Sequence, residues 1–206
     1  MPSPLIATLT ERPIATGREV DGERIHIIDG LFDPAIVMMI ERLVVDLPYF
    51  RNNYDSAISE PGRHLRHNFS ATMIDKFPLL RGFRDDILTR VRQIDAARGE
   101  AVEQFFALDQ YFGAVQYPHH DTPGGMTAIY FANAEWPPNW QGELVFYDKD
   151  GEPQCVVAPK PGRLCVFNGE IIHRGGVPSP LCRKQRLTVV LKTVPADHSN
   201  ATAANQ

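Results

Sequence analysis

Residues 104–117 read QFFALDQYFGAVQY, and at this stretch the hydrophobic period of the chain changes from helical to two. Segments 126–133, 143–148, 154–158, 163–168 and 186–193 continue in the same manner, rich in Phe, Tyr, Val, Ile and Thr with Gly and Pro between them. Several short strands at such spacing predict a sandwich or barrel. Upstream the pattern is helical. Asp33-Pro34 opens a helix signal, with Asp at the cap, Pro in the first turn and an apolar stripe through Val37, Ile40, Val44 and Val45, ended by Pro48. A second helix is expected from about 78 to 97, where Leu79, Phe83, Ile87 and Val91 recur at helical spacing and Gly99 closes the run. A short strand is read at 24–28. Helices first and strands after give a mainly β, α+β fold, a distorted jelly roll braced on one face by N-terminal helices.

The 206 residues fit one domain, divided into a helical support and substrate region at about 21–100, a jelly-roll catalytic core at about 103–194 and a polar tail at 195–206 that is expected to be disordered. Residues 1–20 read as a loose arm. The composition is ordinary, 43% hydrophobic and 22% charged, and the net charge of −4 argues against a nucleic-acid or anionic-membrane partner. The N-terminus lacks the basic and apolar regions of a secretory signal, and no run suits a membrane span. Cys155, Cys165 and Cys182 are odd in number and form no CxxC pair, so a disulfide framework or zinc ribbon is not expected and a cytoplasmic location is.

The chemistry centres on Tyr117-Pro118-His119-His120-Asp121. On an extended chain residues i and i+2 point the same way, so His119 and Asp121 aim at one point while His120 turns aside. His173, 52 residues after Asp121, supplies a third donor. Two histidines and a carboxylate leave open positions on a metal, the ligand set of non-haem Fe(II) oxygenases. A lone HxD is weak evidence, since most such triplets are turn or surface residues. Further along, Arg186 opens the strand 186–191, with Thr188 on the same face; a guanidinium fork and a hydroxyl suit a carboxylate, although a surface charge is the simpler reading of Arg186 alone.

From about 105 to 193 the chain resembles the prolyl-4-hydroxylase-like branch of the 2-oxoglutarate/Fe(II) dioxygenases. The resembling pieces are Tyr111 and Tyr117 before HxD, the strand from Ala128 to Asn133, Trp136 before Gly142-Glu143-Leu144, the run from Pro161 to Phe167 before His173, and Arg186-Leu187-Thr188. The resemblance implies a double-stranded β-helix, an enzyme, and Fe(II), 2-oxoglutarate and O2, with ascorbate as a candidate reductant. It implies His119, Asp121 and His173 as metal ligands, and Arg186 and Thr188 as the receptor for the far carboxylate of 2-oxoglutarate. Arg183, ten residues after His173 where Arg186 is thirteen, competes for that duty, because relatives often show the shorter spacing. Phe131 stands where some relatives have a tyrosine that touches 2-oxoglutarate; Tyr111 could take over that contact or could equally be a core aromatic. Asp121 favours hydroxylation over halogenation, since halogenating relatives have a small residue there; desaturation and cyclisation stay open.

For substrate, the expected contacts are Arg66, Asn68 and Ser70, which alternation places on one face, together with Tyr117 and Trp136 near the barrel mouth. A solvated edge strand is the competing reading of 63–70. Asn52 to Asp55 could form a lid. The expected partner is a small metabolite, an amino acid or an anionic natural-product intermediate. The alternatives are a prolyl residue of a peptide or protein, and a non-catalytic binding barrel.

Overall fold

The computed structural model describes residues 14–51 and 65–196. An antiparallel hairpin, β1 (Ile14–Val20) and β2 (Glu23–Asp29), leads into helix α1 (Pro34–Val45). Short strands β3 (Phe50–Arg51) and β4 (Leu65–Asn68) precede helices α2 (Ala71–Lys76) and α3 (Pro78–Ile94). The strand-rich half follows with β5 (Ala101–Gln110), β6 (Met126–Phe131), β7 (Leu144–Tyr147), β8 (Pro153–Val157), β9 (Leu164–Asn168), β10 (His173–Gly175) and β11 (Arg186–Val194). Eight strands form the major sheet in the order β1-β2-β9-β6-β11-β5-β4-β3; β10-β7-β8 form the minor one. This is the jelly roll expected from the strand spacing.

Period-two alternation on β11 explains how one sheet serves two cores. Leu187, Val189 and Leu191 face α1 and α3, joining Val37, Ile40, Val44, Leu80, Phe83, Ile87 and Val91. The intervening Val190 faces the minor sheet and joins Phe106, Leu108, Ile129, Phe131, Leu144 and Phe146. The helices thus press on the back of the major sheet, and the front is left for a cavity between the sheets.

The N-terminal half supplies four strands as well as the helices. Residues 14–20, read from sequence as part of a loose arm, pair along their whole length with β2. Most of β1 is exposed, so no buried stripe betrays it; the backbone ladder holds the strand. Helix α2 was not anticipated either; Ser70 caps it, its hydroxyl accepting from the Met73 amide at 3.2 Å. Conversely, residues 111–117 leave the expected strand, because the chain turns through Gly113 at φ +90°. The candidate lid, Asn52 to Asp55, and all but Pro195 and Ala196 of the tail lie outside the described residues. All three cysteines are free. Among the described residues no helix is long and apolar enough to cross a membrane.

At the edge of the core, Arg163 grips Asp29 through two bonds, Nε to Oδ1 and Nη2 to Oδ2, both 2.7 Å. The hydrogen bonds from Arg163 hold the Asp29 carboxyl below its ordinary range, against an opposing push from burial. A carboxyl depressed in the folded state stabilises it above the unfolded pKa of about 4 and loses that contribution as pH falls. Asp29→Asn is therefore expected to be less stable than the parent in urea at pH 7, with the difference shrinking by pH 3. An equal difference at both pH values contradicts the assignment.

A candidate metal centre between the two sheets

His119 and His173 come from segments far apart in sequence and meet as a backbone pair. Each amide donates to the other's carbonyl at 3.0 Å, and the rings lie 4.6 Å apart. Each imidazole is turned by its own backbone. Nδ1 of His119 lies 2.8 Å from the Tyr117 carbonyl, and Nδ1 of His173 lies 2.9 Å from the Ile171 carbonyl. A carbonyl can only accept, so both protons sit on Nδ1 and both Nε2 lone pairs are left for a metal. Those Nε2 atoms approach Asp121, at 3.7 Å from Oδ1 for His119 and 3.4 Å from Oδ2 for His173. One ligand atom from each residue falls within 4.8 Å of the others.

The carboxylate is itself held on both oxygens. Thr127 Oγ1 donates to Oδ2 at 2.6 Å, and Lys192 Nζ lies 2.6 Å from Oδ1. Burial alone raises the Asp121 carboxyl, but His173, Lys192 and His119 outweigh it and hold the group down to about 2. Burial pushes the His173 imidazole down to about 4, against the pull of Asp121. At neutral pH Asp121 is thus a carboxylate and His173 an uncharged imidazole, the state in which such groups bind a divalent ion. Phe146 and Phe167 flank His173, with ring centroids 6.1 and 4.7 Å from its own, and limit its movement. The donor types, the tautomers and the convergence fit a three-ligand centre with open positions.

The centre opens on a cavity of about 340 Å³. One wall is the front of the major sheet, where register aligns Arg186 with Gln110, Thr188 with Leu108, Val190 with Phe106 and Lys192 with Gln104. Arg186 is fully buried. Its Nε donates to the Gly142 carbonyl at 2.7 Å, and its Nη1 donates to Gln110 Oε1. Burial lowers the guanidinium to about 10, with Glu143 opposing, so it stays charged at neutral pH. Gly142, at φ +83°, leaves room for this side chain: a Cβ there would stand 2.9 Å from Arg186 Cδ. Among the described residues the Gln110 Nε2 amide has no hydrogen-bond partner, an orphan donor beside Arg186. A buried guanidinium, an unsatisfied amide and the Thr188 hydroxyl lining the same pocket suit a carboxylate.

The other expected site residues separate clearly. Arg66 lines the cavity, its guanidinium 3.6 Å above the Phe106 ring and bonded to Asn68 Oδ1 and Gln104 Oε1. Asn68 therefore supports Arg66, and Ser70 caps α2. Tyr117 contributes its carbonyl to His119. Tyr111 is exposed past the end of β5, whereas Gln110, one residue earlier, faces the pocket. Trp136 is buried outside the lining; it stacks edge-on against Trp140 and donates to the Gln141 carbonyl at 2.8 Å, shaping the loop that carries Gly142. Arg183 is exposed, unlike Arg186. Sequence reasoning did not single out Gln110, Gln116, Thr127 or Lys192. Lys192 was accessible, since continuing the Arg186-Thr188-Val190 alternation by one step reaches it.

Residues 106–191 match the model of the 2OG-Fe(II) oxygenase superfamily. No curated protein matches the sequence. Among solved structures, the chain is similar to a prolyl hydroxylase from Trichoplax adhaerens in complex with a hypoxia inducible factor oxygen degradation domain peptide fragment; identity is 13%, coverage 84% of this chain and 80% of that one, and TM-score 0.57. A Pseudomonas putida prolyl-4-hydroxylase is 19% identical over 79% and 85%, with TM-score 0.51. SnoN, a non-haem alpha-ketoglutarate-dependent epimerase from nogalamycin biosynthesis, is 15% identical over 84% and 78%, with TM-score 0.58. At such identities the likeness concerns the fold.

Proposed function

We propose that this chain, which matches the 2OG-Fe(II) oxygenase model over residues 106–191, is an enzyme of that kind and hydroxylates a small metabolite with release of succinate and CO2. The family brings Fe(II), 2-oxoglutarate and O2, which together supply the oxidising power for attack on a C–H bond. In this reading His119, Asp121 and His173 hold the iron, and Thr127 and Lys192 orient the carboxylate. Arg186, Thr188 and Gln110 receive the far carboxylate of 2-oxoglutarate. The residues' work is positioning and exclusion of water: the apolar side chains Leu108, Ile129, Leu144 and Val190 line the space between the two polar ends.

The observation that supports a small substrate is the cavity itself. About 340 Å³ is near the lower end of ligand pockets, and cosubstrate and substrate must share it. A peptide is the alternative occupant, and the fold is common to enzymes of both kinds. Succinate formation should decide. Small amino and carboxylic acids are expected to raise 2-oxoglutarate turnover at least about tenfold above its uncoupled background, and proline-containing peptides are not. Stimulation by peptides alone overturns the small-substrate reading and keeps the oxygenase one.

A further inference from the structure

The described lining of the cavity carries three cationic side chains, Arg66, Arg186 and Lys192, and one carboxylate, Asp121. Arg186 lies at the closed end. Lys192 is six residues further along the same strand, about 20 Å at the rise of an extended chain. Arg66 reaches the cavity from β4, two strands from β11. Both Arg66 and Lys192 approach the ring of Phe106, at 3.6 and 5.7 Å from its centroid. Arg66 is held there from two sides, its Nε 2.6 Å from Asn68 Oδ1 and its Nη2 3.1 Å from Gln104 Oε1. Lys192, with a side chain 16% exposed, touches Asp121. A positioned guanidinium and an ammonium that also touches Asp121 therefore lie beside one aromatic ring in the part of the cavity next to the metal centre. Neither is needed for the carboxylate that Arg186 receives.

We propose that Arg66 and Lys192 form the receptor for a carboxylate of the substrate, so that the enzyme selects small acids and presents a carbon near that carboxylate to the metal centre. The inference rests on the oxygenase reading. Two oxygens of one carboxylate match one guanidinium and one ammonium, and charge-assisted bonds in a partly desolvated pocket are the strongest polar contacts available there. An amide of the same shape gains neither charge term.

The test uses the protein loaded with Mn(II) and N-oxalylglycine, an unreactive isostere that fills the 2-oxoglutarate position. Acetate and acetamide serve as probes, and the paramagnetic relaxation of their methyl protons reports binding close to Mn(II). Acetate is expected to relax at least about fivefold more than acetamide, and the excess to vanish in Arg66→Met and in Lys192→Met. Equal relaxation of the two probes, or an acetate effect retained in either variant, overturns the proposal. Should Lys192→Met fail to fold or to bind Mn(II), Arg66→Met decides alone, since it leaves the partners of Asp121 untouched. Failure of the parent protein to bind Mn(II) overturns the oxygenase reading together with this one, whereas Mn(II) binding without preference for acetate overturns this one only.

Discussion

Replacing His173 with alanine is expected to abolish metal-dependent 2-oxoglutarate turnover and to weaken Mn(II) binding by at least about 100-fold, while leaving a folded protein. The scale follows from what supporting groups do: loss of a residue that merely orients a ligand costs about 10–100-fold in affinity, and His173 supplies the ligand atom itself. Folding should survive because the backbone pair with His119 does not use the imidazole. The ring does fill space between Phe146 and Phe167, so a stability loss of about 2–4 kcal/mol is expected from the cavity left behind. Metal titration and urea unfolding of the same preparation separate the two effects. Near-parental turnover in His173→Ala removes the residue from the ligand set.

The second large effect belongs to Arg186. Replacement by methionine is expected to raise the 2-oxoglutarate KM about 100-fold. Two charge-assisted hydrogen bonds are lost, each worth about 1.5–3 kcal/mol, and part of that is recovered as solvent enters. The variant also strips Gln110 Oε1 and the Gly142 carbonyl of their donor, so it should be less stable as well. Arg183→Met is the control: its side chain is exposed, and its KM is expected within about twofold of the parent. A larger effect at Arg183 than at Arg186 transfers the carboxylate receptor to Arg183.

The legible parts of this protein were those where burial repeats with a fixed period. The helix stripes at Val37, Ile40 and Val44 and at Phe83, Ile87 and Val91 are core in the structure, and the Phe- and Val-rich segments after residue 104 are strands of the jelly roll. The i, i+2 geometry that puts His119 and Asp121 on one side is also seen, and His173 joins them through a backbone pairing that sequence distance conceals. Less legible were features made by backbone rather than by pattern. β1 is an exposed edge strand, α2 has six residues and one buried side chain, and neither announces itself by hydrophobicity. Alternation along β5 puts Gln104, Phe106, Leu108 and Gln110 on the cavity side, so Tyr111 is out of phase with the cavity and lies exposed where the strand has already ended. Alternation from Arg186 reaches Lys192, but its contact with Asp121, like that of Thr127, was hidden, because it depends on β6 and β11 being neighbours, as the register of Lys192 opposite Thr127 records.

His119, Asp121 and His173 are expected to bind iron next to a 2-oxoglutarate site. Protein purified without oxygen and given Fe(II) and 2-oxoglutarate should develop the weak visible charge-transfer band of the metal-bound 2-oxo acid, and Asp121→Ala should not. No band in folded parent protein, or a band that persists in Asp121→Ala, contradicts the account.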